Sequence, residues 1–215
     1  MITAAPVITP DLIASAYTYE QYVQLSTDLF AQSRTTSDDP HYNTEQILGY
    51  TNLNLRRMSR LHKQTVINAD LRDAMAQVPE PWIWLVLTES WCGDAAQSVP
   101  VLHRIAEASP NVLFRLLLRD QHPALMNAYL TNGGKSIPKL ICLRASDLGG
   151  PALRELGTWG PRPAELQRLF MAWRAEQIPF AEVAERAQRW YNDDQTRSIQ
   201  LELLGLVTSW SKISE

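Results

Sequence analysis

Apolar and polar positions change their spacing twice along this chain, and the changes divide it into three parts. Up to residue 80 the apolar residues recur at helical intervals. Tyr17, Tyr19, Tyr22, Leu25 and Phe30 trace one helical stretch, and a second, from Thr44 to Lys63, turns Ile47, Leu48, Leu55, Met58 and Leu61 to one side. Between them Arg34-Thr35-Thr36-Ser37-Asp38-Asp39-Pro40 reads as a loop. The far side of the second helix carries Arg56, Arg57, Arg60 and Lys63, read as a solvated face. A short helix from Asp70 to Gln77 leads to Pro79 and Pro81.

From Trp82 the spacing becomes that of alternating strands and helices. Trp82-Ile83-Trp84-Leu85-Val86-Leu87-Thr88 is apolar enough for a strand covered on both faces. A helix from Asp94 to Ala108 follows, then a strand Val112 to Leu118, a helix Pro123 to Leu130, a turn at Gly133-Gly134 and a strand Lys139 to Leu143. A weaker strand is expected near Leu153 to Leu156. The last third returns to helical spacing, with Leu166, Leu169, Phe170 and Trp173 on one face and Phe180, Val183, Ala184, Ala187, Trp190 and Tyr191 on another. The pattern predicts an α/β fold: a mixed sheet with helices on both faces, the first two strands joined by a right-handed crossover and the last two antiparallel to them. Residues 1–80 form an N-terminal helical extension, 81–161 the core, and 162–215 C-terminal helices packed on it.

Composition narrows the function. With 215 residues, 45% of them apolar, the chain can build a core without staples, and a net charge of −3 with no dense Lys or Arg run gives no sign of a nucleic-acid partner. No apolar run approaches a membrane span, and the N-terminal residues lack the pattern of a signal peptide, so a cytoplasmic protein without a membrane partner is expected. The two cysteines, Cys92 and Cys142, have no metal-ligand spacing, so no metal site is assigned. The four histidines, His41, His62, His103 and His122, have no partner visible in the sequence and read as surface or cap residues.

Cys92 is the residue that carries chemistry. A strand ending at Thr88 and a helix beginning near Asp94 put it at a first helical turn, where unpaired N–H groups and the helix dipole favour an anion. A thiolate is such an anion, and it is the form that attacks disulfides. The Asp94 carboxylate opposes it, so a moderate lowering of the Cys92 pKa at most is expected.

The segment Trp91-Cys92-Gly93-Asp94-Ala95 resembles the thioredoxin superfamily, whose site is Trp-Cys-x-x-Cys at a strand-to-helix turn. Three further positions agree: Pro100 inside the following helix, where a proline costs about 3 kcal/mol unless a kink is wanted, Ile137-Pro138 as the Ile-Pro dipeptide, and Gly157 after the last strand. The resemblance spans about Pro81 to Phe170. Arg119-Asp120, the run Leu130-Thr131-Asn132-Gly133-Gly134-Lys135-Ser136-Ile137-Pro138-Lys139 and Cys92-Gly93-Asp94-Ala95-Ala96-Gln97 are also similar to a narrower family of thioredoxin-like proteins of unassigned function with a single-cysteine motif. What this implies is a thioredoxin-like fold, Cys92 as the catalytic thiol, a cis bond at Ile137-Pro138, and Trp91, Gly93, Asp94, Ile137 and Pro138 as substrate-binding positions.

Two departures shape the expected function. Ala95 stands where the superfamily has its resolving cysteine, and Val86 where it has a buried carboxylate six residues before the nucleophile. Cys142 lies four residues past Pro138 on a strand, about 13 Å along at about 3.3 Å per residue, whereas a disulfide needs Cα atoms within about 7 Å. It is therefore expected in the core, unpaired. The implied function is a monothiol thiol-disulfide oxidoreductase acting on a protein or glutathione disulfide, with no bound cofactor and with glutathione or another external thiol resolving the mixed disulfide. Lys135 is a candidate contact for a substrate carboxylate. The alternative is a non-catalytic interaction module using the same groove.

Overall fold

The strand predicted to be covered on both faces is the middle of the sheet. In the computed structural model, which describes residues 8–147 and 154–214, all seven residues of β1 (Trp82–Thr88) are buried. It pairs in parallel with β2 (Val112–Leu118) on one side and antiparallel with β3 (Lys139–Arg144) on the other, and β4 (Glu155–Trp159) closes the order β2-β1-β3-β4. Two paired neighbours leave this backbone no free polar groups, which is why a nearly continuous apolar run is tolerated there. Because β4 is antiparallel to β3, it runs in the direction of β1, so the expectation that both last strands oppose the first two holds for β3 alone. β4 also lies later than expected. Leu153, the first residue assigned to it from sequence, falls outside the described residues.

Nine helices surround the sheet among the described residues. α1 (Pro10–Ser15) and α2 (Tyr19–Ala31) precede the loop, α3 (Glu45–Gln64) and α4 (Ala69–Ala76) precede β1, α5 (Gly93–Ala106) and α6 (Pro123–Ala128) lie between strands, and α7 (Ala164–Ala175), α8 (Phe180–Asp194) and α9 (Arg197–Ser214) end the chain. Pro100 sits inside α5, which packs along β1, β2 and α3. α2 starts with a reciprocal cap between Thr18 and Gln21. Between α1 and α2, Tyr17 exchanges two 2.9 Å backbone hydrogen bonds with Leu116, satisfying part of the open edge of β2. This is a mixed sheet flanked by helices, the thioredoxin-like arrangement with helical extensions.

The face α3 buries is polar in part. Thr51, Asn54 and Met58 are fully inside, whereas Ile47, Leu48, Leu55 and Leu61 are half-buried, so the predicted stripe is rotated. The reason lies in the partner: Asn54 Nδ2 donates to the Ser90 carbonyl at 3.0 Å, a bond that only a polar residue on that stripe can make.

α9 ties the two extensions to the core. Trp210 meets the edges of Trp82 and Trp84, which share one face of β1, and packs on Gly157, where a Cβ would overlap its indole. Glu202 accepts from Trp159 Nε1 and from the Ala164 amide, both at 2.7 Å, and Gln200 accepts from the Asn68 amide at 2.7 Å and donates to the Val66 carbonyl at 3.2 Å. A fragment of residues 80–161 would expose both indoles of β1 and leave Trp159 Nε1 without its partner. We expect it to be insoluble or to show no cooperative urea transition by circular dichroism; a soluble, cooperatively folded fragment would contradict this packing.

Candidate active site

Cys92 is the N-cap residue of α5, placed there by the turn that follows β1. Its Sγ accepts from the Ala95 amide at 3.5 Å and donates to the Ile137 carbonyl at 3.3 Å, so the backbone of two elements fixes the thiol from opposite sides. The Ile137–Pro138 peptide bond is cis. Only 9% of Cys92 is exposed. The expected lowering of its pKa is reversed. Burial, with the Asp94 carboxylate second, pushes the thiol up to about 12, and the N–H groups of Ala95 and Asp94 and the cation of Arg162 offset this only in part. The helix end is there, but the water that would share the charge is not.

Asp94 is half-buried, and its partners come from the C-terminal helices and the segment before them. Arg162 Nη2 lies 2.7 Å from Oδ2, and the Tyr191 hydroxyl donates to Oδ1 at 2.9 Å. Burial raises the Asp94 pKa while Arg162 and Tyr191 pull it down. Arg162 also donates to Gln167 at 2.8 Å and lies 3.7 Å from the centre of the Phe170 ring. The turn after the cysteine is thus closed by α7 and α8.

Trp91 stacks on Tyr42 with ring centres 4.0 Å apart, and the Arg119 guanidinium lies 4.6 Å from the indole centre. These groups line part of a 570 Å³ cavity that reaches Cys92, Gly93, Asp94 and Ile137. Four cations, Arg57, Arg119, Lys135 and Arg162, contribute to its wall, with Phe170 and Phe180 from the terminal helices. Arg57 therefore leaves the solvated face assigned to it, and Phe180, on the apolar face traced through Val183 and Ala187, is 60% exposed. Pro138 is buried behind Ile137 and does not line the cavity, and Lys135 is exposed at its mouth.

Beneath the turn lies a polar cluster that the sequence did not announce. The loop at 34–40 is a loop, but Thr35, Thr36 and Ser37 are buried. Thr36 donates its hydroxyl to Glu89 Oε2 and accepts from the Ser90 amide at 2.9 Å, while the Asp120 amide donates to Glu89 Oε1 at 2.9 Å. Ser37 donates to Asp120 at 2.5 Å, and Arg119 Nε pairs with the same carboxylate at 2.7 Å. Val86 is indeed buried and apolar, yet Glu89, fully buried three residues before Cys92, puts a carboxylate close in the chain to the nucleophile. Burial raises its pKa to about 7 against the pull of the Thr36 and Asp120 hydrogen bonds. The one available signal was a charged residue directly after a fully apolar strand.

Elsewhere, Cys142 is buried opposite Trp84 in the β1–β3 pairing, and both cysteines are free. Burial pushes its pKa well up. The reading of every histidine as a surface or cap residue fails at His103, which is buried and stacks on Tyr19 with ring centres 4.4 Å apart, and at half-buried His62, 4.8 Å from the same ring. His41 is exposed and pairs with Asp39 at 2.8 Å, and His122 takes the N-cap position of α6 without a side-chain cap bond. No helix among the described residues is long and apolar enough to cross a membrane.

Comparison with known proteins adds one family. A family model described as thioredoxin matches residues 41–177, past both ends of the stretch on which the sequence resemblance rests. No curated protein matches. Among solved structures, an HIV epitope-scaffold is similar at 14% identity over 87% of this chain and 95% of its own, with a TM-score of 0.46. A protein of unknown function from Pseudomonas aeruginosa is similar at 13% identity over 92% and 96%, with a TM-score of 0.44.

Proposed function

We propose that this chain, which belongs to the thioredoxin family, is a monothiol thiol-disulfide oxidoreductase acting through Cys92. The observation that carries the reading is the position of one thiol at a helix N-terminus, held by the Ile137 carbonyl and opening on a cavity with cationic and aromatic walls. The Cys92 thiol loses its proton to solvent, and the thiolate attacks one sulfur of a disulfide R–S–S–R′. A Cys92–S–S–R bond forms and R′S⁻ leaves. Ala95 supplies no second thiol, so an external thiolate attacks the mixed disulfide, releases R–S–S–R″ and restores the Cys92 thiolate. Glutathione suits both roles: its carboxylates match Arg57 and Lys135 in the wall, and its thiol supplies the resolving sulfur. Trp91 and Gly93 would border the bound segment, with Asp94 positioned by Arg162 and Tyr191 to hold the turn.

A thiol at about 12 is ionised to about one part in 10⁵ at pH 7. Turnover therefore rises about tenfold per pH unit from 7 to 9, with no plateau. The test is deglutathionylation of a glutathionylated peptide by reduced glutathione, followed as oxidised glutathione formed. Cysteine-dependent turnover above the uncatalysed exchange, absent in Cys92→Ser, is expected, together with no reduction of insulin by thioredoxin reductase through this protein. Equal rates for the wild type and Cys92→Ser would end the oxidoreductase reading in favour of an interaction module.

A further inference from the structure

The two histidines that leave the surface carry a second inference, independent of Cys92. His62 lies in the last turn of α3, while His103 and Glu107 lie one turn apart at the end of α5, on the side where α3 packs. One donor atom from each lies within 4.8 Å of the others. The imidazole centres are 5.4 Å apart, and Tyr19 covers both rings. Two ring nitrogens, His62 Nε2 and His103 Nδ1, are buried without any hydrogen-bond partner. Unpaired buried nitrogens are costly, and a ring nitrogen that faces other donor atoms can be satisfied by a shared ion.

We propose that His62, His103 and Glu107 bind a divalent cation of the zinc class. Two imidazoles and one carboxylate are a donor set that suits zinc, with a fourth position left for water. Glu20 Oε1 lies 3.9 Å from His103 Nε2, the ring nitrogen opposite Nδ1, beyond hydrogen-bond distance. Tetrahedral zinc places its donors about 3.4 Å apart, so donors within 4.8 Å of one another draw together by up to about 1.4 Å, with exposed Glu107 the freest of the three to move. Glu107 gives up its 2.7 Å pair with Arg104, a surface contact of small worth. The ion would clip α3, from the N-terminal extension, to the core helix that begins at Cys92.

Zinc titration of the full chain against a chromophoric chelator tests this, with cobalt(II) as the spectroscopic probe. One equivalent is expected, with visible bands of tetrahedral cobalt and no thiolate-to-cobalt charge transfer. Cys92→Ser should bind equally, Glu107→Gln at least tenfold more weakly, and His62→Ala not at all. At one zinc concentration the Tm of the wild type should also rise by more than that of Glu107→Gln, so the outcome stands even where His62→Ala fails to fold. Absence of stoichiometric binding, undiminished binding in Glu107→Gln, or binding lost in Cys92→Ser would overturn the proposal.

Discussion

Replacing Asp94 with asparagine is expected to make Cys92 at least about tenfold more reactive toward iodoacetamide at pH 7, while costing the fold about 3 kcal/mol. Both effects follow from one carboxylate. Asp94 is the charge that, after burial itself, raises the Cys92 pKa. Removing it also leaves the Arg162 cation facing the thiol unopposed, and both changes favour the thiolate. A fall of one pKa unit gives about ten times the thiolate at a fixed pH. The cost arises because the Arg162 and Asp94 side chains are only 10% and 15% exposed, so the arginine is left as a buried cation with Gln167 and Phe170 as its remaining partners. Asparagine keeps an oxygen for the Tyr191 hydroxyl, which isolates the effect of charge. Labelling resolved by peptide mass, with urea unfolding alongside, reads both quantities. Unchanged labelling in a destabilised variant would show that Asp94 holds the turn without tuning the thiol.

Glu89→Gln is expected to flatten the pH dependence of stability. The Glu89 carboxyl rises from an ordinary 4.5 to about 7 in the folded protein. A group raised on folding contributes stability that is complete below its unfolded value and disappears as pH rises through the folded one. The window here is pH 4.5 to 7, and the shift corresponds to roughly 3 kcal/mol lost by pH 8. Glutamine is neutral throughout. Its oxygen accepts from the Asp120 amide, and its amide can donate to the Thr36 hydroxyl oxygen, so the cluster stays bonded. Urea denaturation should therefore find the variant close to the wild type at pH 5 and more stable by about 3 kcal/mol at pH 8. Parallel profiles for the two proteins would contradict this assignment.

Local pattern carried the fold further than it carried the site. β1 was legible because a buried central strand needs apolar residues on both faces, and Cys92 because strand-then-helix spacing fixes a first turn. What closes the site was not legible. Arg162 and Tyr191 reach Asp94 across 68 and 97 positions, and Tyr42 reaches Trp91 across 49, distances over which periodicity says nothing. The polar residues at 34–40 mark the segment as a loop, but composition does not show that Thr35, Thr36 and Ser37 are buried. Thr36 and Ser37 are polar because Glu89, Ser90 and Asp120 need partners inside. Asn54 on α3 misled the helix reading for the same reason. The pKa of Cys92 erred in sign because a helix terminus is visible in sequence and desolvation is not.

The central claim is that Cys92 forms a mixed disulfide that only an external thiol resolves. The most direct measurement is intact and peptide mass after incubation with oxidised glutathione at pH 8.5, followed by addition of reduced glutathione. A single glutathione adduct on Cys92, stable until reduced glutathione is added and then lost, with Cys142 unmodified, is the expected result. An adduct that never forms at Cys92, or that resolves unaided into a Cys92–Cys142 disulfide, would contradict the account.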